Sequence, residues 1–359
     1  MRGILIITQK IDYNNDILGF FHEWVREFSK RWDKVTVICL KLGDYDLPSN
    51  VRVVSLGKEK NSGFGPGVKL KYLFRFYKYI WTYRHDYNAV FSHMNPQYIP
   101  LGWPAWKLLG KKMSLWYAHG YVPTILKIAD RLTNIAFAST PEGYRLPSRK
   151  LRIVGQGIDV EKFKPKNGYT RDGKGVFKIV SVGRIALSKD YDTMIGAISA
   201  LIDEGVGLRV EVAGSAINPL DFDYLEKLKN TISSKGLGDV IKFIGPIANK
   251  DLPDFLLSGD LFVNMSHTGS LDKAVLEAMS CGLPVLTCNE AYENILGEYR
   301  EKLMYPKRDY RKLADGIKYI MNLAGDERAA ASDYLRNIVV QNHNLEGLIK
   351  KISSTLLNE

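Results

Sequence analysis

Two stretches of this sequence hold residues able to grip an anionic, hydroxyl-rich ligand. Gly183 and Arg184 end the apolar run Lys178–Val182, and Lys189 follows just ahead of a helix start. Glycine lets a ligand approach the backbone. Two fixed cations beside a helix N-terminus suit a diphosphate, through charge-assisted hydrogen bonds and the helix dipole together. The plainer alternative is a pair of solvated cations. The second stretch is Ser266-His267-Thr268-Gly269-Ser270-Leu271-Asp272, followed by the helical pattern Lys273–Met279 and by Gly282 as its C-cap signal. Asp272 or Ser270 stands where a helix cap is needed. Glu277 lies among Ala274, Val275, Leu276, Ala278 and Met279, where a carboxylate is costly unless it has partners. It can accept both hydroxyls of a ribose, or be an ordinary exposed helix glutamate.

Other polar residues carry weaker signals. His119, in Tyr117-Ala118-His119-Gly120, ends a strand-like run, where a ring N–H can donate to a sugar hydroxyl or a developing charge. It can equally be satisfied by loop carbonyls. His22, His85, His93, His267 and His343 lack a comparable setting, although His93 also ends a strand. Asp44-Tyr45-Asp46, Asp190-Tyr191-Asp192 and Asp221-Phe222-Asp223 could pair carboxylates around a metal. The latter two stand at helix starts, which favour acidic residues anyway, and the Arg184/Lys189 pair offers diphosphate stabilisation without a metal. Cys39, Cys281 and Cys288 cannot form a disulfide framework and lack metal-ligand spacing, so they read as small buried hydrophobes.

The elements that must position these residues alternate between two periods. Ile4–Ile7, Val35–Leu40, Val51–Leu56, Ala89–Ser92, Met113–Tyr117, Ile135–Ala138 and Leu151–Val154 read as strands, with helical patterns such as Ile17–Trp32 and Val68–Tyr83 between them. A polar, glycine-rich stretch from Lys164 to Gly175 reads as a linker. The alternation then restarts. Lys178–Val182, Leu208–Ala213, Val240–Ile244, Leu261–Asn264 and Pro284–Thr287 read as strands, and Tyr191–Ile202, Leu220–Ser234 and Arg311–Leu323 as helices. This predicts an α/β chain of two consecutive parallel-sheet domains, 1–165 and 176–340. A C-terminal helix, 341–359, is expected to pack back on the first. Ligand is expected at strand C-terminal ends.

The 359 residues are 45% apolar, ample for two cores. No secretory signal and no stretch near the roughly 20 apolar residues of a membrane span is visible, so a cytoplasmic protein, peripheral on the inner face of the cell membrane, is expected. The net charge of +11 is uneven: residues 1–165 hold 26 Lys and Arg against 13 Asp and Glu, and the remainder 24 against 26. A basic half suggests an anionic partner. Nucleic acid is set aside, because it leaves Arg184, Lys189 and Glu277 without a purpose. On Val68–Arg84, Lys71, Arg75, Lys78 and Thr82 share one helical face. Lys69, Leu73, Phe76, Tyr77 and Ile80 cover the opposite side, with Tyr72, Tyr79, Phe74 and Trp81 at the edges. That suits an anionic membrane interface, or a sheet-packing helix with a solvated outer face.

Gly183-Arg184…Lys189 combined with Leu276-Glu277-Ala278-Met279-Ser280-Cys281-Gly282-Leu283-Pro284-Val285 resembles the donor domain of the retaining family 4 glycosyltransferases, within glycosyl transferases group 1. Gly155-Gln156-Gly157-Ile158-Asp159…Phe163-Lys164-Pro165 resembles that family's interdomain phrase. The resemblance covers nearly the whole second domain; over the first it is one of architecture. It implies the GT-B fold, two Rossmann-like domains facing across a cleft, and a UDP- or GDP-linked sugar donor with no metal or other cofactor. Arg184 and Lys189 would hold the diphosphate beside Gly183, and Glu277 the ribose. Gly269, Ser270, Leu271, Asp272 and Lys273 would face the transferred sugar, and residues after Gly214 and Gly245 would line the base pocket. His119 would face the donor sugar. Asp16, Gly19 and His22, in the loop after the first strand, would approach a saccharide or lipid-linked acceptor, although Asp16 also suits helix capping. One departure stands out: the family's first glutamate would fall at Gly269, and Asp272 is the nearest substitute. The implied activity is sugar transfer with retention, in polysaccharide or glycolipid synthesis. A non-catalytic nucleotide-sugar-binding protein and an epimerase of the same fold are the rivals.

Overall fold

The computed structural model describes residues 2–60, 65–165, 175–267 and 269–358. The chain divides into two compact units, Met1–Gly157 with Ala248–Lys250 and Leu345–Glu359, and Ile158–Ile247 with Asp251–Asn344.

In the first unit the chain runs β1 (Gly3–Ile11), α1 (Phe20–Ser29), β2 (Lys34–Leu42), β3 (Val51–Ser55), α2 (Pro66–Thr82), β4 (Ala89–His93), α3 (Tyr98–Leu108), β5 (Lys112–Trp116), α4 (Thr124–Leu132), β6 (Ile135–Ala138) and β7 (Leu151–Ile153). All seven strands are parallel, in the order β3-β2-β1-β4-β5-β6-β7. Ile4–Ile7 and Ala89–Phe91 are apolar on both sheet faces because helices cover both. Two cores result, one on each face. Phe21, Trp24 and Phe28 of α1 lead the first; Phe76, Ile80, Ile99 and Trp106 of α2 and α3 lead the second.

In the second unit come β8 (Phe177–Val182), α5 (Tyr191–Asp203), β9 (Leu208–Ala213), α6 (Pro219–Ser234), β10 (Ile241–Gly245), α7 (Leu252–Leu257), β11 (Leu261–Asn264), α8 (Lys273–Ser280), β12 (Val285–Thr287), α9 (Arg300–Leu303), α10 (Tyr310–Met321) and α11 (Gly325–Asn342); α12 (Leu345–Asn358) follows. The sheet is again parallel, ordered β10-β9-β8-β11-β12. In both sheets strand order reverses once, between β1 and β4 and between β8 and β11. At such a switch point diverging loops leave a crevice at the carboxyl ends.

Two expectations shift. The expected domain boundary at residue 165 moves back to Gly157. Ile158 donates its N–H to the His343 carbonyl at 2.8 Å, and Phe163 is buried in the second unit's core, its carbonyl accepting from Ser280 Oγ at 2.5 Å. The first helix starts at Phe20 rather than Ile17, after a turn in which Asn15 Oδ1 accepts from the Leu18 N–H at 2.8 Å. Most of the expected linker, 166–174, lies outside the described residues. The helix expected at 341–359 is α12. It belongs to the first unit, where Leu348, Ile349 and Ile352 join the α1 core and Trp32 Nε1 donates to Ser353 Oγ at 3.0 Å. Among the described residues no helix is long and apolar enough to cross a membrane.

Candidate functional site

The second unit gathers its polar residues at the carboxyl ends of β8, β9, β10 and β11. Three glycines open the floor. Gly183 follows β8 and donates to the Ala213 carbonyl at 3.0 Å; Gly214 follows β9 and donates to that of Gly245, the last residue of β10, at 2.8 Å. Gly214 has φ +150°, and a Cβ there would meet the Gly183 carbonyl oxygen at 1.8 Å, so no side chain fits.

Arg184 and Lys189 rise from the loop after β8, each held by a carboxylate. Arg184 Nε donates to Asp221 Oδ2 at 2.6 Å. Asp221 also accepts the Ile217 N–H at 3.1 Å and is placed by Asn218, whose side chain caps α6. Burial works against the Asp221 charge, but Arg184 and the Ile217 N–H outweigh it and hold the carboxyl below its usual range. Lys189 Nζ donates to Asp272 Oδ1 at 2.7 Å and to Ser266 Oγ at 3.3 Å, directly at the β8/β11 switch point. Asp272 Oδ2 accepts from Asn264 Nδ2, at the end of β11, at 3.0 Å. Burial again opposes the charge, and Lys189, Asn264 and Ser266 overcome it, leaving Asp272 lowered.

Glu277 is buried in the second turn of α8, with Lys273 one turn earlier donating to its Oε1. The cost of an apolar setting is thus met by an i,i+4 ion pair on the helix. Gly282, at φ +74°, ends α8 as expected. Asp272 occupies the helix N-cap position, yet its side chain makes no capping bond because it is committed to Lys189 and Asn264. Leu271, expected to face a sugar, is buried in the second core. Ser270 is held through its carbonyl by Asn289 Nδ2 at 2.7 Å. Gly269 has φ +66°, a left-handed backbone that an L-glutamate adopts poorly.

Sequence reasoning missed Asp221, which holds Arg184, and Asn264, which holds Asp272. Asp221 was read as an acidic helix start, and Asn264 as the end of a strand. A further pair, His267 Nε2 and Asp190 Oδ2 at 2.9 Å, joins the two loops. Asp190 takes φ +46° and accepts from Thr193 Oγ1 at 2.6 Å. Asp192 accepts from Tyr224 OH at 2.7 Å and Lys227 at 3.1 Å. Among the described residues no group of three or more His, Cys, Asp or Glu is placed to share a metal.

In the first unit His119 is exposed just beyond β5. Its Nδ1 accepts the Tyr121 N–H at 3.1 Å, which puts the ring proton of the neutral imidazole on Nε2. His22 is a correction. It is 1% exposed, with Nδ1 3.0 Å from Glu23 Oε1 and Nε2 accepting the Asp46 N–H at 3.1 Å, so neither nitrogen is left for an acceptor. Gly19 is buried in the turn before α1 and allows close approach there: a Cβ would meet the Asn15 carbonyl at 2.4 Å. Asp16 is exposed, accepts from Asn15 Nδ2 at 3.2 Å and does not cap α1. His93 is stacked on Phe21 with ring centroids 4.0 Å apart, and burial pushes its pKa down to about 3.

Two parallel sheets of this topology, each with one strand reversal, define the GT-B glycosyltransferase fold, and solved structures agree along the full chain. Anabaena HepE in complex with UDP and glucose superposes with a TM-score of 0.77 at 17% identity, covering 100% of both chains. Sucrose-phosphate synthase from Thermosynechococcus elongatus gives 0.79 at 15%, covering 99% of this chain and 98% of its own. Residues 169–338, most of the second unit, match the family described as glycosyl transferases group 1. Mannosylfructose-phosphate synthase from Agrobacterium fabrum is 30% identical over 177 residues, 44% of this chain and 38% of its own length. D-inositol 3-phosphate glycosyltransferase from Streptomyces scabiei is 26% identical over 179 residues, 46% and 40% respectively. The matched stretch thus spans about two fifths of these relatives.

Proposed function

We propose that this protein transfers a sugar, with retention of anomeric configuration, from a UDP- or GDP-linked donor to a hydroxyl of a saccharide or lipid-linked acceptor, in polysaccharide or glycolipid synthesis. The observation that carries this reading is the convergence of Arg184 and Lys189 above the glycine floor at the switch point, with a buried, ionically paired Glu277 on α8. The cations take the donor diphosphate and stabilise it as it leaves. Glu277 accepts the ribose hydroxyls, exchanging the Lys273 ammonium for them. His119 donates from Nε2 to the reacting sugar, and no metal takes part. The acceptor hydroxyl attacks on the face the diphosphate leaves. Asp16 and Gly19 border the acceptor. The protein works in the cytoplasm.

Gly269 favours a second reading, in which the protein binds a nucleotide sugar without transferring it. Here Asp272 does not stand in for the missing glutamate, because both its oxygens are engaged by Lys189 and Asn264.

A donor screen separates the two. Purified protein is incubated with UDP-, GDP- and ADP-sugars, with and without membrane lipid extract, and nucleoside diphosphate release is followed. Release from one donor, reduced roughly 100-fold or more in Lys189→Ala and Glu277→Ala, supports transfer. Tight nucleotide binding without release from any donor supports the binding protein.

A further inference from the structure

We propose that the joined face of α2 and α3 is a docking surface for an anionic lipid bilayer. On α2, Leu70, Phe74, Tyr77 and Trp81 fall at i, i+4, i+7 and i+11, one stripe of the helix. They are 67%, 70%, 38% and 51% exposed. On α3, which packs beside α2, Leu101 and Leu108 extend the face at 40% and 78% exposure, and Tyr77 OH donates to the Leu101 carbonyl at 2.6 Å. The inner sides of both helices are already filled by Phe76, Ile80, Ile99 and Trp106, so the outward set is not part of the core. Large apolar side chains gathered on adjacent turns mark a contact surface.

Charge selects the partner. Neither helix contains an Asp or Glu, and Lys69, Lys71, Lys78 and Lys107 are exposed beside the stripe. The Arg84 guanidinium lies 5.3 Å from the Trp81 ring centroid, and Lys107 Nζ lies 4.7 Å from that of Trp103. Rings edged by cations match a lipid headgroup layer, with the rings at the acyl boundary and the cations among phosphates. A second copy of the chain would set two cationic faces against each other. The face differs from the basic stripe read in the sequence. Arg75 turns inward, donating to the Leu56 carbonyl at 2.7 Å, and Tyr77 is exposed. The surface deepens the proposed function by bringing the protein to a lipid-linked acceptor. Docking itself is independent of catalysis.

The full chain is sedimented with vesicles of phosphatidylcholine alone and of phosphatidylcholine with phosphatidylglycerol. Binding is expected to the anionic vesicles, reduced roughly thirtyfold or more in Lys71→Glu/Lys78→Glu and lost in Phe74→Ala/Trp81→Ala. Melting temperatures of both variants should match the wild type, since these side chains face solvent. No wild-type binding to anionic vesicles, or undiminished binding by both variants, overturns the proposal. So does concentration-dependent self-association abolished by Phe74→Ala/Trp81→Ala, which would assign the face to a second copy. Nucleotide release measured without vesicles reports on the donor reading alone, so the two can fail separately.

Discussion

Lys189 and Asp272 show only 18% and 16% of their side chains to solvent, so each depends on the other for its charge. Removing one leaves a largely buried, uncompensated ion, a loss of roughly 3 kcal/mol. Lys189→Met should therefore destabilise the second unit by about that amount in urea unfolding. The double change Lys189→Met/Asp272→Asn should lose clearly less than the sum of the single changes. The pair also sets an acid limit. A carboxyl held low in the folded state contributes stability that is fully present above its unfolded pKa of about 4 and is lost as pH falls through the lower folded value. Asp272 and Asp221 are both lowered, so unfolding midpoints should hold from neutrality to about pH 4 and drop below it, less steeply in Asp272→Asn. In the first unit, His22→Ala should lower the melting temperature, because it empties a buried, doubly bonded position. Arg184, Lys189 and Glu277 were legible from residue type and spacing, since charges beside glycine or inside an apolar helix are conspicuous. Two supporting residues were not: Asp221, which holds Arg184 from the start of α6, and Asn264, which holds Asp272 from the end of β11, are brought in by the fold.

Gly214 shows how an element imposes a residue. At φ +150° and with the Gly183 carbonyl where its Cβ would stand, Gly214→Ala must displace the β8 and β9 ends that carry Arg184. A loss of soluble protein, or of roughly 3 kcal/mol of stability, is expected by urea titration. The strands were readable because buried parallel strands appear as continuous apolar runs such as Ile4–Ile7 and Leu261–Asn264. Helix α3 was harder. Pro104 lies inside it, and apolar residues surround it on every side, since Ile99 and Trp106 face the sheet while Leu101 and Leu108 face outward. A periodicity reading has no polar face to find there.

The whole chain is basic in its first half, and the surface lysines on α2 and α3 account for part of that imbalance. Where the chain divides could not be read from composition, because Phe163 and Ile158 belong to the second core although the polar stretch follows them. The three cysteines are buried and free, with thiols pushed up to about 12 by burial, so native protein should resist thiol reagents that label it after unfolding. The α12 helix has a consequence in time rather than in space. Nearly all of the second unit is a continuous run, Ile158–Asn344, whereas the first closes its α1 core with Leu348, Ile349 and Ile352. On the ribosome the segment translated first must therefore wait, with Trp24 and Phe28 uncovered, until residue 352 has left the exit tunnel. The later segment can assemble ahead of it. Protease challenge of chains stalled before and after α12 would show the upstream half maturing second.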